Sequence, residues 1–164
     1  MGTKSSKKDI VIRAASVSDI DSIYRIECAS FSMPWLKETL VHDMTLSYSR
    51  YWMAEIRGIP AGYACFWFVE GEAQLVNLAV APGMRRQGAG AELIRAGLRE
   101  AGDFQCRTVF LEVRVSNLPA QELYRTFGLT VRSLRKNAYE KPMEDGYIMA
   151  GPIDLGGIYE DTGF

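Results

Sequence analysis

Three stretches of this 164-residue chain hold residue types that could do chemistry. In the first, Arg85-Arg86-Gln87-Gly88-Ala89-Gly90 lies between an apolar run that reads as a strand and a run of helical period. A loop opening a helix turns backbone N–H groups outward at the positive end of the helix dipole, which suits an anion. Gly88 and Gly90 would let the backbone come close to a phosphate and take positive φ, while Arg85 or Arg86 could add charge-assisted contacts. The stretch matches neither GxxxxGK[ST] nor GxGxxG, so by itself it reads equally well as a loop turning into a helix. In the second, Leu111, Val113 and Val115 take one face of a strand and Glu112, Arg114 and Ser116 the other. A carboxylate there can act as a base, or it can pair with Arg114 and be held ionised. In the third, Asn117 stands at a strand-to-helix junction with Pro119 in the first turn, a good N-cap setting. Tyr124 falls about two turns further along the same helix face, where its phenol can transfer a proton or its ring can pack against a sheet.

The elements that must position these residues follow from periodicity. Ile10 and Ile12 mark a short strand, Ser16 and Asp19 a capping pattern, and Ile20, Ile23, Tyr24 and Cys28 one face of a first helix. Pro34 interrupts before a second helical stretch, which leaves an aromatic loop, Phe31-Ser32-Met33-Pro34-Trp35. Tyr51 to Ile56 and Ala61 to Val69 read as a hairpin around Arg57-Gly58-Ile59-Pro60, and Glu70-Gly71 turns the chain into a strand from Gln74 to Val80. A helix from Glu92 to Ala101, a strand from Thr108 to Val115 and a helix from Leu118 to Phe127, ended by Gly128, come next. Leu129 to Leu134 and Tyr147 to Ile153 supply the last strands of a mixed sheet with helices between its parallel strands. The expected organisation is one domain over residues 9–153, a disordered basic tail at 1–8 and a flexible tail at 154–164.

Composition excludes several function classes. A net charge of -1 exerts no global pull on nucleic acid or an anionic membrane. Cys28, Cys65 and Cys106 are odd in number and far apart, so they form neither a disulfide framework nor a zinc spacing, and no metal is expected. The apolar run Gly62 to Val69 is too short to span a membrane, no signal peptide opens the chain, and a cytoplasmic protein is expected. His42, the only histidine, lies in a polar helical stretch and is expected to face solvent.

Asn77-Leu78-Ala79-Val80-Ala81-Pro82 followed by Arg85 to Gly90 resembles the acetyl-CoA motif Q/R-x-x-G-x-G/A of GNAT acetyltransferases. Leu111-Glu112-Val113-Arg114-Val115-Ser116-Asn117, then Ala120, Leu123-Tyr124 and Gly128, resembles the second signature of that family at its expected distance. The likeness runs roughly from Asp9 to Ile153 and is nearest the protein N-terminal acetyltransferases, including those that act on ribosomal-protein alanine. It implies an α/β (α+β) fold: a mixed, twisted central sheet of about seven strands, helices on both faces, and a splayed pair of parallel strands holding acetyl-CoA. By the resemblance, Leu78, Ala79 and Val80 pair with the pantetheine arm as an added strand would. Arg85, Arg86, Gln87, Gly88, Ala89, Gly90 and Ala91 hold the pyrophosphate, Asn117 touches the cofactor, and an N–H near Val80 polarises the thioester oxygen. Glu112 becomes the general base and Tyr124 the general acid for the departing thiolate, with Phe31, Pro34, Trp35 and Tyr139 walling the acceptor groove.

The implied partners are acetyl-CoA and an acceptor protein N terminus, that of a ribosomal protein first, with no direct contact to nucleic acid or membrane. Physical chemistry favours an α-amine over a lysine acceptor: at pH 7 an amine of pKa about 7.8 is neutral to roughly one part in seven, a lysine to about one in 2,500. Arg125 and Leu129 stand where the family often has Glu and Phe, and Asn137-Ala138-Tyr139 replaces a frequent tyrosine pair, which touches acceptor identity. Two alternatives stay open: a GNAT enzyme acting on lysine or a small amine, and a non-catalytic acetyl-CoA-binding module.

Overall fold

The computed structural model describes residues 9–154. Their contacts gather into two compact units, one holding the chain up to Trp67 with Asn77–Gly97, the other Phe68–Val76 with the residues from Leu98 on.

In the first unit β1 (Ile10–Ala14) runs antiparallel to β2 (Ser49–Ile56), with Ile10 opposite Ile56, and β2 runs antiparallel to β3 (Ile59–Val69). The β2–β3 turn is only Arg57-Gly58, both at positive φ (50° and 78°), the geometry a two-residue hairpin needs. Strand β3 therefore starts at Ile59 and takes in Pro60, which was expected in the turn. The register shift at Ala54/Glu55 accommodates it, because a bulge tolerates the missing N–H.

Strand parity on β3 assigns the flanking helices. Tyr63, Cys65 and Trp67 point to α1 (Ile20–Ser30) and α2 (Lys37–Met44), where they bond Glu27 and Asp43. Gly62 and Phe66 point to the opposite face and to α3 (Ala89–Asp103): a Cβ on Gly62 would lie 3.4 Å from Leu93, and one on Gly97 only 2.0 Å from the Phe66 ring. Helices thus cover both faces of this part of the sheet.

Two expectations need correction. The buried stripe of α1 is Ile23, Ile26 and Glu27, while Cys28 is exposed. The helix is rotated toward Glu27 because polar partners on the sheet accept a carboxylate, which an apolar pattern cannot reveal. Helix α3 begins at Ala89, three residues before the expected Glu92, because small residues fill its first turn without an apolar marker.

Strand β4 (Glu72–Val80) pairs in parallel with β5 (Thr108–Arg114) through three register pairs, from Glu72↔Thr108 to Gln74↔Phe110, all within the second unit. Beyond that ladder β4 runs on to Val80 and β5 to Arg114. Helix α4 (Leu118–Thr126) follows, then β6 (Thr130–Tyr139) and β7 (Glu144–Pro152), an antiparallel hairpin whose β7 also pairs with β5. Both last strands are longer than their apolar patterning suggested. The added part of β6 is mostly exposed and polar, and it bends at Asn137 (φ 53°) with a register shift between Arg135 and Tyr139. The strands form a seven-stranded sheet in the order β1-β2-β3-β4-β5-β7-β6, mixed through its parallel β4–β5 pair.

Candidate active site

The glycine loop belongs to the first unit. Its first helical bond runs from Glu92 N to Gly88 O at 3.1 Å, so the amides of Ala89, Gly90 and Ala91 have no acceptor within the helix. Positive φ falls on Gly88 (94°) and on Arg86 (62°). Gly90 was expected to share it but is the second residue of α3 and helical. A Cβ on Gly88 would meet only Ile10 Cδ1, at 3.9 Å, which leaves the space over the loop open. Arg85 does not reach outward with its whole guanidinium: its Nε donates to Val80 O at 2.9 Å and ties the loop to the end of β4. On the other edge of β4, Ala81 N continues the pairing with β3 by donating to Ala61 O at 2.7 Å. Ala79 is buried and Leu78 and Val80 are half-buried. Open amides at a helix N-terminus, a glycine at positive φ and a strand end fit a phosphate-bearing ligand with an extended arm.

The candidate proton-transfer residues belong to the second unit. Strand β5 buries Val109, Leu111 and Val113 and leaves Glu112 and Arg114 half-buried on its other face, as alternation requires. The pair Glu112–Arg114 does not form. Glu112 Oε2 accepts from Arg135 on β6 at 2.5 Å, while Arg114 bonds Glu144 Oε1 at 3.1 Å and the Pro142 and Glu140 carbonyls at 2.9 Å each. The Arg114 guanidinium also stacks 4.5 Å from the centre of the Tyr139 ring. Gly146 on β7 makes the room for this cluster, since a Cβ there would stand 3.0 Å from Tyr139 and 3.2 Å from Glu112. Burial, and next the Glu112 carboxylate, push the Tyr139 phenol up to about 12.

Asn117 caps α4, its Oδ1 accepting from Ala120 N at 3.3 Å. Gln121, one turn on, anchors the helix by donating to the Arg114 and Val115 carbonyls at 3.1 and 2.9 Å. Tyr124 is buried on the same helix, and burial raises its phenol above the ordinary 10.0, with Tyr139 adding to the shift. It is therefore protonated at neutral pH.

The aromatic loop Phe31 to Trp35 leads from α1 to α2 in the first unit. Phe31 and Met33 are exposed and Pro34 and Trp35 half-buried; Leu36, not singled out by the sequence, is 65% exposed beside them. His42 faces solvent, but its neighbour Asp43 is buried and accepts from Ser49 (2.9 Å), Tyr51 (2.7 Å) and Trp67 (3.1 Å). That carboxylate pins α2 to β2 and β3. Sequence reasoning passed over Arg135, Glu144, Gly146 and the two buried carboxylates Glu27 and Asp43. Each is defined by a partner distant in the chain, and none carries a local signal. Among the described residues no cluster of His, Cys, Asp and Glu could hold a metal ion, and no helix is long and apolar enough to cross a membrane.

Comparison with known proteins bears on what these two groups serve. The model of the Acetyltransferase (GNAT) family matches residues 20–129. A relative from Bacillus subtilis (strain 168) is 39% identical over 144 residues, 87% of this chain and 95% of its own length. The [ribosomal protein bS18]-alanine N-acetyltransferase of Escherichia coli (strain K12) is 32% identical over 146 residues, 88% of this chain and 98% of that one. The crystal structure of the ribosomal-protein-S18-alanine N-acetyltransferase from Escherichia coli superposes with a TM-score of 0.83 at 31% identity, covering 89% of this chain and 95% of that one. Enzymes of this family draw their acetyl group from acetyl-CoA. With both family signatures in their strand and helix settings and relatives matched over nearly their whole length, this chain belongs to the GNAT acetyltransferase family and is an N-acetyltransferase.

Proposed function

We propose that the enzyme acetylates the free α-amine at a protein N terminus, with the N-terminal alanine of a small-subunit ribosomal protein as its first acceptor, in the cytoplasm. The observation that carries this is the segment from Glu112 to Tyr124: one strand and one capped helix hold a half-buried carboxylate and a buried, protonated phenol. The likeness over 88% of the chain to an enzyme named for ribosomal-protein alanine supports the choice of acceptor.

When bound, acetyl-CoA supplies the activated acetyl group. Leu78, Ala79 and Val80 hold its arm by backbone pairing, the N–H near Val80 polarises the carbonyl oxygen, and Arg85, Arg86, Gln87, Gly88, Ala89, Gly90 and Ala91 hold its phosphates through amides and positive charge. Asn117, already the cap of α4, adds a contact at the helix start. The neutral amine forms the new C–N bond with its lone pair as the C–S bond breaks. Glu112 takes the amine proton, directly or through water, and Tyr124 gives its proton to the leaving sulfur. A carboxylate is a weak base, and an α-amine, already neutral to roughly one part in seven at pH 7, needs no stronger one. Phe31, Pro34, Trp35 and Tyr139 wall the acceptor.

The test is acetyl-CoA turnover with a panel of peptides, the acetyl group located by mass spectrometry. Modification of the α-amine of an alanine peptide is expected. Modification of internal lysines with the α-amine untouched would overturn the proposal.

A further inference from the structure

The first unit contains a buried polar triad that the acetyl-transfer scheme does not use. Glu27, on α1, is 1% exposed. Its Oε2 accepts from the Tyr63 hydroxyl at 2.6 Å, and its Oε1 and Oε2 accept from Asn77 Nδ2 at 2.9 and 2.7 Å. The same Nδ2 donates to the Tyr63 oxygen at 2.6 Å. No cation appears among these bonds, and burial raises the Glu27 carboxyl above its ordinary range while the two donors pull it back. Replacing buried charged groups with apolar residues of similar volume is often neutral or stabilising, so a carboxylate on neutral donors is a poor way to pack a helix on a sheet. The arrangement therefore calls for a purpose other than packing.

Its effect falls on Asn77. Both oxygens of Glu27, and the Tyr63 oxygen, lie within hydrogen-bond distance of Asn77 Nδ2, so the amide of Asn77 turns its nitrogen inward toward these acceptors. The oxygen, on the other branch of the same planar group, turns away from Glu27 and Tyr63. Asn77 is half-buried, on the face of β4 that α1 covers, immediately before Leu78, Ala79 and Val80. Glu27 in turn lies in the last turn of α1, where its carbonyl accepts from Phe31 N at 3.1 Å, so the aromatic loop departs from this point. The triad thus links the root of the proposed acceptor wall to the residue adjoining the proposed pantetheine strand.

We propose that Asn77 positions the acceptor amine: its Oδ1 accepts a hydrogen bond from one N–H of the incoming α-amine, and Glu27 and Tyr63 are positioning residues that fix the amide in that orientation. This rests on the reading of the enzyme as an α-amine acetyltransferase. A primary amine carries two N–H bonds: one proton leaves to the base as the C–N bond forms, and the other is available to Asn77 throughout. Holding it there aims the lone pair at the carbonyl carbon.

The test compares two peptides on the full chain, identical except that one begins with alanine and the other with N-methylalanine, whose single N–H is consumed by the base. Asn77→Ala should lower kcat/KM for the alanine peptide by roughly tenfold, the worth of one hydrogen bond at the upper end of its usual range, and leave the N-methyl peptide nearly unchanged. The ratio between the two should then collapse, with acetyl-CoA affinity by calorimetry as in the wild type. Glu27→Gln offers Asn77 both a donor and an acceptor and should lower the same ratio by a smaller factor; it decides the matter if Asn77→Ala does not fold. A merely structural triad would depress both peptides together, and an unchanged ratio in folded variants overturns the proposal while the α-amine reading stands. A wild-type enzyme that acetylates lysine and neither N-terminal amine overturns that reading and this proposal with it.

Discussion

Glu112 and Arg114 lie two residues apart on one strand face, yet each is bonded elsewhere. A strand spaces such neighbours by nearly 7 Å, so an arginine reaches more easily across to Glu144 and to the carbonyls of the β6–β7 turn. Glu112 is left with Arg135, whose side chain is 62% exposed, and an ion pair so open to water is worth little, about 0–1 kcal/mol. In the proposed scheme Tyr124 is the complementary acid, and burial holds its phenol above the ordinary 10.0. Tyr124→Phe preserves the ring and should slow single-turnover acetyl transfer by ~10²–10⁴, toward the lower end because a thiolate already leaves readily, with acetyl-CoA affinity unchanged. Rapid-quench measurement removes masking by product release. A wild-type single-turnover rate in Tyr124→Phe beside a severely slowed Glu112→Gln would reduce Tyr124 to a packing residue. These residues are legible in the chain because strand alternation and helix phase act over a few positions. Arg135 is not, because only the β6–β7 pairing brings it to Glu112.

At the level of elements, the start of α3 and its packing face make separable predictions. Gly88 sits at φ 94° with open space where a Cβ would go. Gly88→Val should cost roughly 1 kcal/mol in stability through backbone strain and weaken acetyl-CoA binding by obstructing approach to the phosphates. Calorimetry on the folded variant checks this, and unchanged affinity would remove the loop from the site. Gly97, two turns further, is a pure packing position: a Cβ there would stand 2.0 Å from the Phe66 ring. Gly97→Ala should therefore cost about 1–3 kcal/mol of stability through overpacking and lower Tm, and Phe66→Leu in the same chain should recover part of it. Thermal unfolding of the two variants decides the point, and an unchanged Tm in Gly97→Ala would contradict this packing. The β2–β3 hairpin and the strand-loop-helix order were readable because turn residues and apolar period are local signals. The first turn of α3 and most of the β6–β7 hairpin were not. Ala89-Gly90-Ala91 has no apolar marker, and β6 is an exposed edge whose pairing with β7 owes nothing to alternation.

Across the whole molecule the tyrosines give a titration signature. Burial holds the phenols of Tyr51, Tyr63 and Tyr124 above the ordinary 10.0, with Asp43, Glu27 or neighbouring phenols adding to it, and Tyr139 is pushed up to about 12. A folded-state pKa above the unfolded value favours the folded, protonated form, so this stability is fully present below pH 10 and lost as pH rises toward 12 and beyond. Near-ultraviolet absorbance should show these four tyrosines ionising well above pH 10, most of them only as the chain unfolds, with circular dichroism falling in step. All four titrating together near pH 10 in a folded protein would contradict it. The chain by itself determined the family, the glycine loop, the capped helix behind Asn117 and the strand that presents Glu112, because each is a contiguous stretch whose backbone geometry dictates where its groups point. Only the tertiary structure decided that Glu112 pairs with Arg135, that Arg114 lies over Tyr139, and that Glu27 is buried against Tyr63 and Asn77. These contacts join residues between 23 and 50 positions apart, and no local propensity encodes which distant side chain will satisfy a buried charge.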